Sequence, residues 1–225
     1  MEKPIRPRSE APLAEPINRQ LNLYALAASA AGVGLLALTQ PAEAKIVYTK
    51  THQVIQGRGA SLNLDLNHDG VVDFQLDVNT ATDGEWLAAY GDVSGNRVWE
   101  SKTGSWAEAF PAGVRIGPNG APGKPPKGGA FMEGFACRSS CRSGGNWLDV
   151  KNRYLGLTFL IHGKTHYGWA RLSATVGNQY GVRAMLSGYA YETVPGKPII
   201  TGKTKGPDVI TVQSATLGHL ARGAR

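Results

Sequence analysis

The sequence predicts an all-β fold, an antiparallel β-sandwich or jelly-roll-like domain, on three observations. Beyond an N-terminal apolar run, apolar residues recur with period two in short runs. Gly, Pro, Asn and Asp punctuate those runs, and no stretch after residue 44 carries a sustained helical period. Short strands divided by turn signals build sandwiches and barrels, because each strand has one apolar face that a second layer must cover.

Residues 1–44 read as an export signal containing a signal helix. Lys3, Arg6, Arg8 and Arg19 precede an apolar run over residues 21–38, which ends in Pro41-Ala42-Glu43-Ala44. Ala42 and Ala44 form the Ala-x-Ala site that signal peptidase cleaves, so the mature chain is expected to begin at Lys45. The competing reading is an uncleaved N-terminal membrane anchor. The run is about as short as a bilayer span can be, and its Ala and Gly content weakens insertion. With the signal removed, no stable membrane span is expected. No Arg-Arg pair precedes the run, which favours general secretion over the twin-arginine route. The expected location is secreted, periplasmic or cell-surface.

The remainder is long enough for one domain with a substantial core. That domain is expected over residues 45–202, with a loop-rich insertion at about 79–146 and a C-terminal tail over 203–225. Val54, Leu62, Leu64, Val72, Phe74, Leu76 and Val78 make the first strand set. The clearest hairpin follows at 154–176. There Leu155, Leu157, Phe159 and Ile161 share a face, Gly163-Lys164 is expected to form a type II′ turn, and the return strand starts at Thr165. Further strands are expected at about 182–191 and 209–212. The Gly/Pro-dense stretch 117–129, inside the insertion, reads as a surface loop.

The most specific chemical signal is Asp65-Leu66-Asn67-His68-Asp69-Gly70-Val71-Val72-Asp73, which fits D-x-N-x-D-G-x-x-D. Calcium takes six to eight oxygen ligands, and alternate Asp and Asn side chains on a curling backbone aim several at one centre. Asp65, Asn67, Asp69, the carbonyl of Val71, and Asp73 are the expected ligands. Leu76 stands where a helical EF-hand would carry its bidentate Glu, so the loop is expected between strands, with calcium in a structural role. A metal-free Asx-turn hairpin is the alternative.

The chain has two cysteines, Cys137 and Cys141, in a Gly/Ser/Arg-rich stretch. An even, closely spaced pair in an exported protein predicts a local disulfide. No second Cys/His pair lies near enough for zinc. Trp86, Trp99 and Trp106 fall within the insertion, where they are candidates for stacking on sugar rings or for covering the core. His162 and His166 are expected on opposite faces of the hairpin, which argues against a shared metal; His52 and His219 are isolated. Glu85, Glu100, Glu108, Glu133 and Glu192 could supply the carboxylate pair of a glycosidase only if folding brings two together. No nucleophile elbow, zinc-protease motif or phosphate-binding glycine loop is present. The formal net charge of +7 is spread along the chain without a dense basic stripe, so nucleic acid is not an expected partner.

The segments Tyr154-Leu155-Gly156-Leu157-Thr158-Phe159, Thr165-His166-Tyr167-Gly168-Trp169-Ala170-Arg171-Leu172, Tyr189-Ala190-Tyr191-Glu192 and Pro195-Gly196-Lys197-Pro198-Ile199 carry a resemblance. Together with the Asp/Asn/Gly loop, they resemble a group of uncharacterised bacterial exported proteins, many bearing a Pro-Glu-Pro sorting tail. The likeness covers about residues 44–78 and 150–202, and it implies fold and location without naming an activity. The sorting tail is missing here, so anchoring by that route is not expected. The preferred function is a non-catalytic, calcium-stabilised module of the cell envelope or extracellular matrix that binds polysaccharide. The alternative is an extracellular polymer hydrolase using carboxylates of the insertion.

Overall fold

A computed structural model describes residues 44–102, 106–121, 124–137, 140–177 and 181–213. The expected export signal, apart from Ala44, lies outside the described residues, as does His219. Within them the protein is all β, without a helix.

In chain order the strands are β1 (Ile46–Gln56), β2 (Ser61–Leu64), β3 (Phe74–Ala81), β4 (Gly84–Gly91), β5 (Arg97–Glu100) and β6 (Arg115–Ile116). They continue with β7 (Lys124–Lys127), β8 (Gly129–Cys137), β9 (Cys141–Gly145), β10 (Val150–Ile161) and β11 (Lys164–Gly177). The last three are β12 (Gly181–Glu192), β13 (Ile199–Ile200) and β14 (Val209–Gln213).

Seven strands form a mixed sheet in the order β14-β1-β12-β11-β10-β5-β7, with β14 parallel to β1. Five form an antiparallel sheet, β2-β3-β4-β8-β9, and β6 pairs with β13 as a two-stranded ribbon. The expected irregular insertion is therefore corrected. It supplies β4, β8 and β9 to one sheet and β5 and β7 to the other, and even the Gly/Pro stretch contributes β7. Its strands are short and interrupted by glycines, which hides their periodicity.

The main core takes residues from both large sheets. Phe74, Leu76, Val78 and Leu87 come from the five-stranded sheet, and Leu155, Leu157, Phe159, Leu172 and Leu186 from the seven-stranded one. A second apolar cluster contains Tyr48, Trp99, Phe110, Ile116, Tyr154, Trp169 and Ile199. Two such clusters explain why β10 is buried continuously from Tyr154 to Phe159 instead of alternating.

The hairpin register is corrected by one residue. Ile161 pairs with Lys164 and Phe159 with His166, so the two-residue turn is His162-Gly163. Both turn residues have positive φ, 50° and 74°, the type I′ pattern that matches strand twist. Faces are preserved by this shift. His166 stays beside Phe159, is buried, and its Nδ1 lies 2.9 Å from the Glu192 carbonyl. In β12 a bulge at Ser187 breaks the expected alternation, so that Tyr189 joins the main core with Leu186.

Candidate functional site

The Asp-rich segment forms the β2–β3 connection. Asp65 accepts N–H bonds from His68 (2.7 Å) and Gly70 (2.9 Å), and Asp69 accepts one from Val71 (2.9 Å). Asn67 donates its amide to Asp69 at 2.8 Å. Asp73 is buried; its Oδ2 accepts the Leu66 N–H at 2.8 Å and its Oδ1 faces the Asn96 amide at 3.4 Å. Asn96 also donates to the Asp73 carbonyl and accepts the Leu160 N–H, tying the loop to β10. Sequence reasoning missed this buried asparagine, because its partners lie far away along the chain.

Electrostatics separates the carboxylates. The Val71 N–H and the Asn67 amide hold Asp69 below the usual carboxylate range. Burial pushes Asp73 up to about 6, and the charges of Asp65 and Asp69 add to that rise. The donor set is all oxygen, as calcium requires, and the carboxylates are near enough to repel one another. Among the described residues, however, no group of three or more His, Cys, Asp or Glu is already arranged around a metal position. The side chains instead hold an Asx-turn network.

A second constellation lies on the outer face of the five-stranded sheet. In β4, Leu87 and Ala89 face the core while Trp86, Ala88 and Tyr90 alternate outward. Opposite Trp86 stands Gly134 of β8, which in turn pairs with Gly144 of β9. A Cβ at Gly134 would lie 2.7 Å from the Trp86 Cβ, so the glycine is what lets the indole lie over the strand. Trp106 approaches from the other side, its ring within 3.6 Å of where a Gly144 Cβ would be. The two tryptophans thus flank a floor of glycine backbone.

Phe131 completes the wall. Its ring lies 6.2 Å from Trp86, edge-on at 84°, and 6.4 Å from Trp106. A bulge sets its direction: Leu87 pairs with Glu133 but Ala88 pairs with Phe131, leaving Met132 as the extra residue. Phe131 is consequently 45% exposed while Met132 is buried. Trp106 is positioned by a bridge to Phe131 and by the Ala107 N–H bond to the Phe131 carbonyl. The resulting cleft measures about 510 Å³, with Arg142 and Ser143 of β9 at its rim.

The third candidate, Trp99, does not join this cleft. It is buried in the second apolar cluster and donates its Nε1–H to Thr158 Oγ1 at 3.2 Å. Strand alternation alone could not separate it from the other two, because Trp106 sits outside a regular strand.

Cys137 and Cys141 form the expected disulfide, joining the ends of β8 and β9. The candidate glutamates are dispersed. Glu85 contacts Arg58 at 3.5 Å and accepts the Val182 N–H; Glu192 pairs with Lys197 at 3.7 Å; Glu100 pairs with Lys127 at 3.3 Å. Glu133 is buried, neither of its carboxylate oxygens has a hydrogen-bond partner among the described residues, and burial with the charge of Asp149 pushes it up to about 8. Glu85 is the acidic residue among the described residues lining the aromatic cleft, but it shares the inner face of β4 with Leu87, and its carboxylate is turned to Arg58 and the Val182 N–H.

Comparison with protein-family models, curated proteins and solved structures finds no match to this chain. Its function must therefore be argued from the two sites. Among the described residues, no helix is long and apolar enough to cross a membrane.

Proposed function

We propose that this chain is an exported, non-catalytic β-sandwich module that binds polysaccharide and uses calcium as a structural ion. The observation that carries the binding reading is the convergence of Trp86, Trp106 and Phe131 over a glycine floor. Sugar rings present C–H faces that pack on aromatic rings, and their hydroxyls need polar partners at the edge. Arg142, two residues before Gly144 on β9 and so on the same outer face, is among the residues lining the cleft. A hydrolase would need two carboxylates flanking one bond, whereas Glu85, the acidic residue among the described residues lining this cleft, has its carboxylate on the inner face of β4, engaged by Arg58 and the Val182 N–H.

The calcium reading is supported by the D-x-N-x-D-G-x-x-D spacing and by the repulsion that Asp65 and Asp69 exert on Asp73. A bound cation would relieve that repulsion and hold the β2–β3 connection against β10 through Asn96. Export is supported by the apolar run 21–38 and the Ala42-Glu43-Ala44 site, and by the likeness to bacterial exported proteins. The sandwich is supported by a core drawn from both large sheets.

Affinity electrophoresis against soluble glucans, mannans, xylans and chitosan tests the binding reading. Retardation by at least one polymer is expected, with Trp86→Ala and Trp106→Ala each weakening it roughly tenfold, or about 1.4 kcal/mol. Equal migration of wild type and both variants in every gel would remove the cleft from consideration.

A further inference from the structure

The aromatic cleft does not end at Phe131. On the far side of that ring a second cleft of about 250 Å³ is lined by Tyr90, Glu100, Lys127, Gly129 and Ala130, with Phe131 forming a wall of both. The geometry points to a two-subsite groove for an extended, uncharged glycan chain, with Phe131 as the partition between subsites. This inference rests on the polysaccharide-binding reading above and adds to it the length and charge of the ligand.

Three features of the sheet carry it. First, β4 presents Trp86 and Tyr90 on the same outer face, four residues apart, which at strand rise places their backbones about 13 Å from each other. That is room for more than one sugar ring along the strand. Second, each of these aromatics lies opposite a glycine on β8: Trp86 pairs with Gly134 and Tyr90 with Gly129. A Cβ at Gly129 would fall 2.5 Å from the Tyr90 Cδ1, so this ring too lies against bare backbone. The two subsites are therefore built alike, an aromatic ring beside a glycine, and the small Ala88 opposite Phe131 leaves the partition standing alone.

Third, the second subsite contains a buried acceptor. Glu100 is 2% exposed, and its Oε2 has no hydrogen-bond partner among the described residues, although Lys127 Nζ lies 3.3 Å away. The ammonium neutralises the carboxylate without being aligned to donate to it. A buried, neutralised carboxylate oxygen is completed by a hydroxyl donor, and an anionic ligand would find no net positive charge in that pair. A peptide fits less well. β4 and β8 are paired on both sides, so a peptide could not add as a strand and would leave its own amides unsatisfied on the sheet face.

Calorimetric titration of the chain with cellobiose, cellotetraose and cellohexaose, and with the matched chito-oligosaccharides, tests the groove. Affinity is expected to rise at least tenfold from the disaccharide to the tetrasaccharide in one series. Tyr90→Ala should reduce tetrasaccharide affinity to that of the disaccharide on the wild type, and Glu100→Gln, which keeps side-chain shape, should do the same. Trp86→Ala should weaken every length. Binding that is sensitive to Trp86→Ala but independent of chain length would overturn the second subsite and leave the first. No binding at any length in either series would overturn both.

Discussion

Glu133 is a carboxylic acid held in a buried place, opposite Leu87 and with no hydrogen-bond partner for either oxygen among the described residues. Its ordinary value is 4.5, and in the fold it is pushed up to about 8 by burial, with the charge of Asp149 adding to the shift. The folded protein therefore binds a proton that the unfolded chain has released, so this contribution to stability is full below 4.5 and is lost as pH rises through about 8. Melting temperature should fall across that window, and Glu133→Met should flatten the profile and raise stability at pH 9. Parallel profiles for the two proteins would show that Glu133 is solvated. Trp169 is likewise buried with a polar atom, its Nε1, that has no hydrogen-bond partner among the described residues. It is fully buried, packed edge-on against Tyr154 at 5.1 Å, and Trp169→Ala should cost roughly 3–5 kcal/mol in denaturant unfolding. Trp86→Ala, on the outer face, should cost far less stability.

The β2–β3 connection and the β10–β11 hairpin are the elements whose chemistry is most local. If calcium is a structural ion, adding it should raise the melting temperature over that measured with chelator, and Asp65→Ala and Asp69→Ala should abolish the difference. An identical rise in wild type and variants would place the ion elsewhere. The turn was legible because its Asx chemistry is written in nine consecutive residues. What the spacing does not contain is Asn96, whose amide reaches Asp73 and whose oxygen takes the Leu160 N–H. Asn96→Ala should leave these buried groups unpaired and destabilise the fold by about 1–3 kcal/mol. The hairpin was legible to within one residue. Its faces follow from period two, but His162 takes a positive φ that nothing in its side chain demands, moving the turn back by one position.

At the scale of the whole molecule, β14 lies parallel to β1 at the sheet edge, and Ile46 donates its N–H to the Asp208 carbonyl. Ending the chain after Gly206 should uncover the backbone of β1 and much of Ile46. Exposed strand edges pair with other chains, so the truncated protein should melt earlier and self-associate in sedimentation. A monomeric truncation with unchanged melting would show that β14 adds nothing to the sheet.

The sequence by itself determined the all-β class, the faces of the hairpin, the Asx-rich turn and the disulfide, because each depends on residues near one another along the chain; that one sheet is mixed, with β14 parallel to β1, was not legible. Tertiary structure alone decided the rest. Two bulges, at Met132 and Ser187, turned Phe131 outward and Tyr189 inward against simple alternation. The stretch expected to be irregular became three strands of one large sheet and two of the other, and several of its glycines are sites of close approach and not of looseness. Trp86 and Trp106 met over Gly134 and Gly144 while Trp99 went to a core, a sorting set by which sheet face each reached. Pairing between strands distant in sequence sets those faces, and a period of two says only that faces alternate.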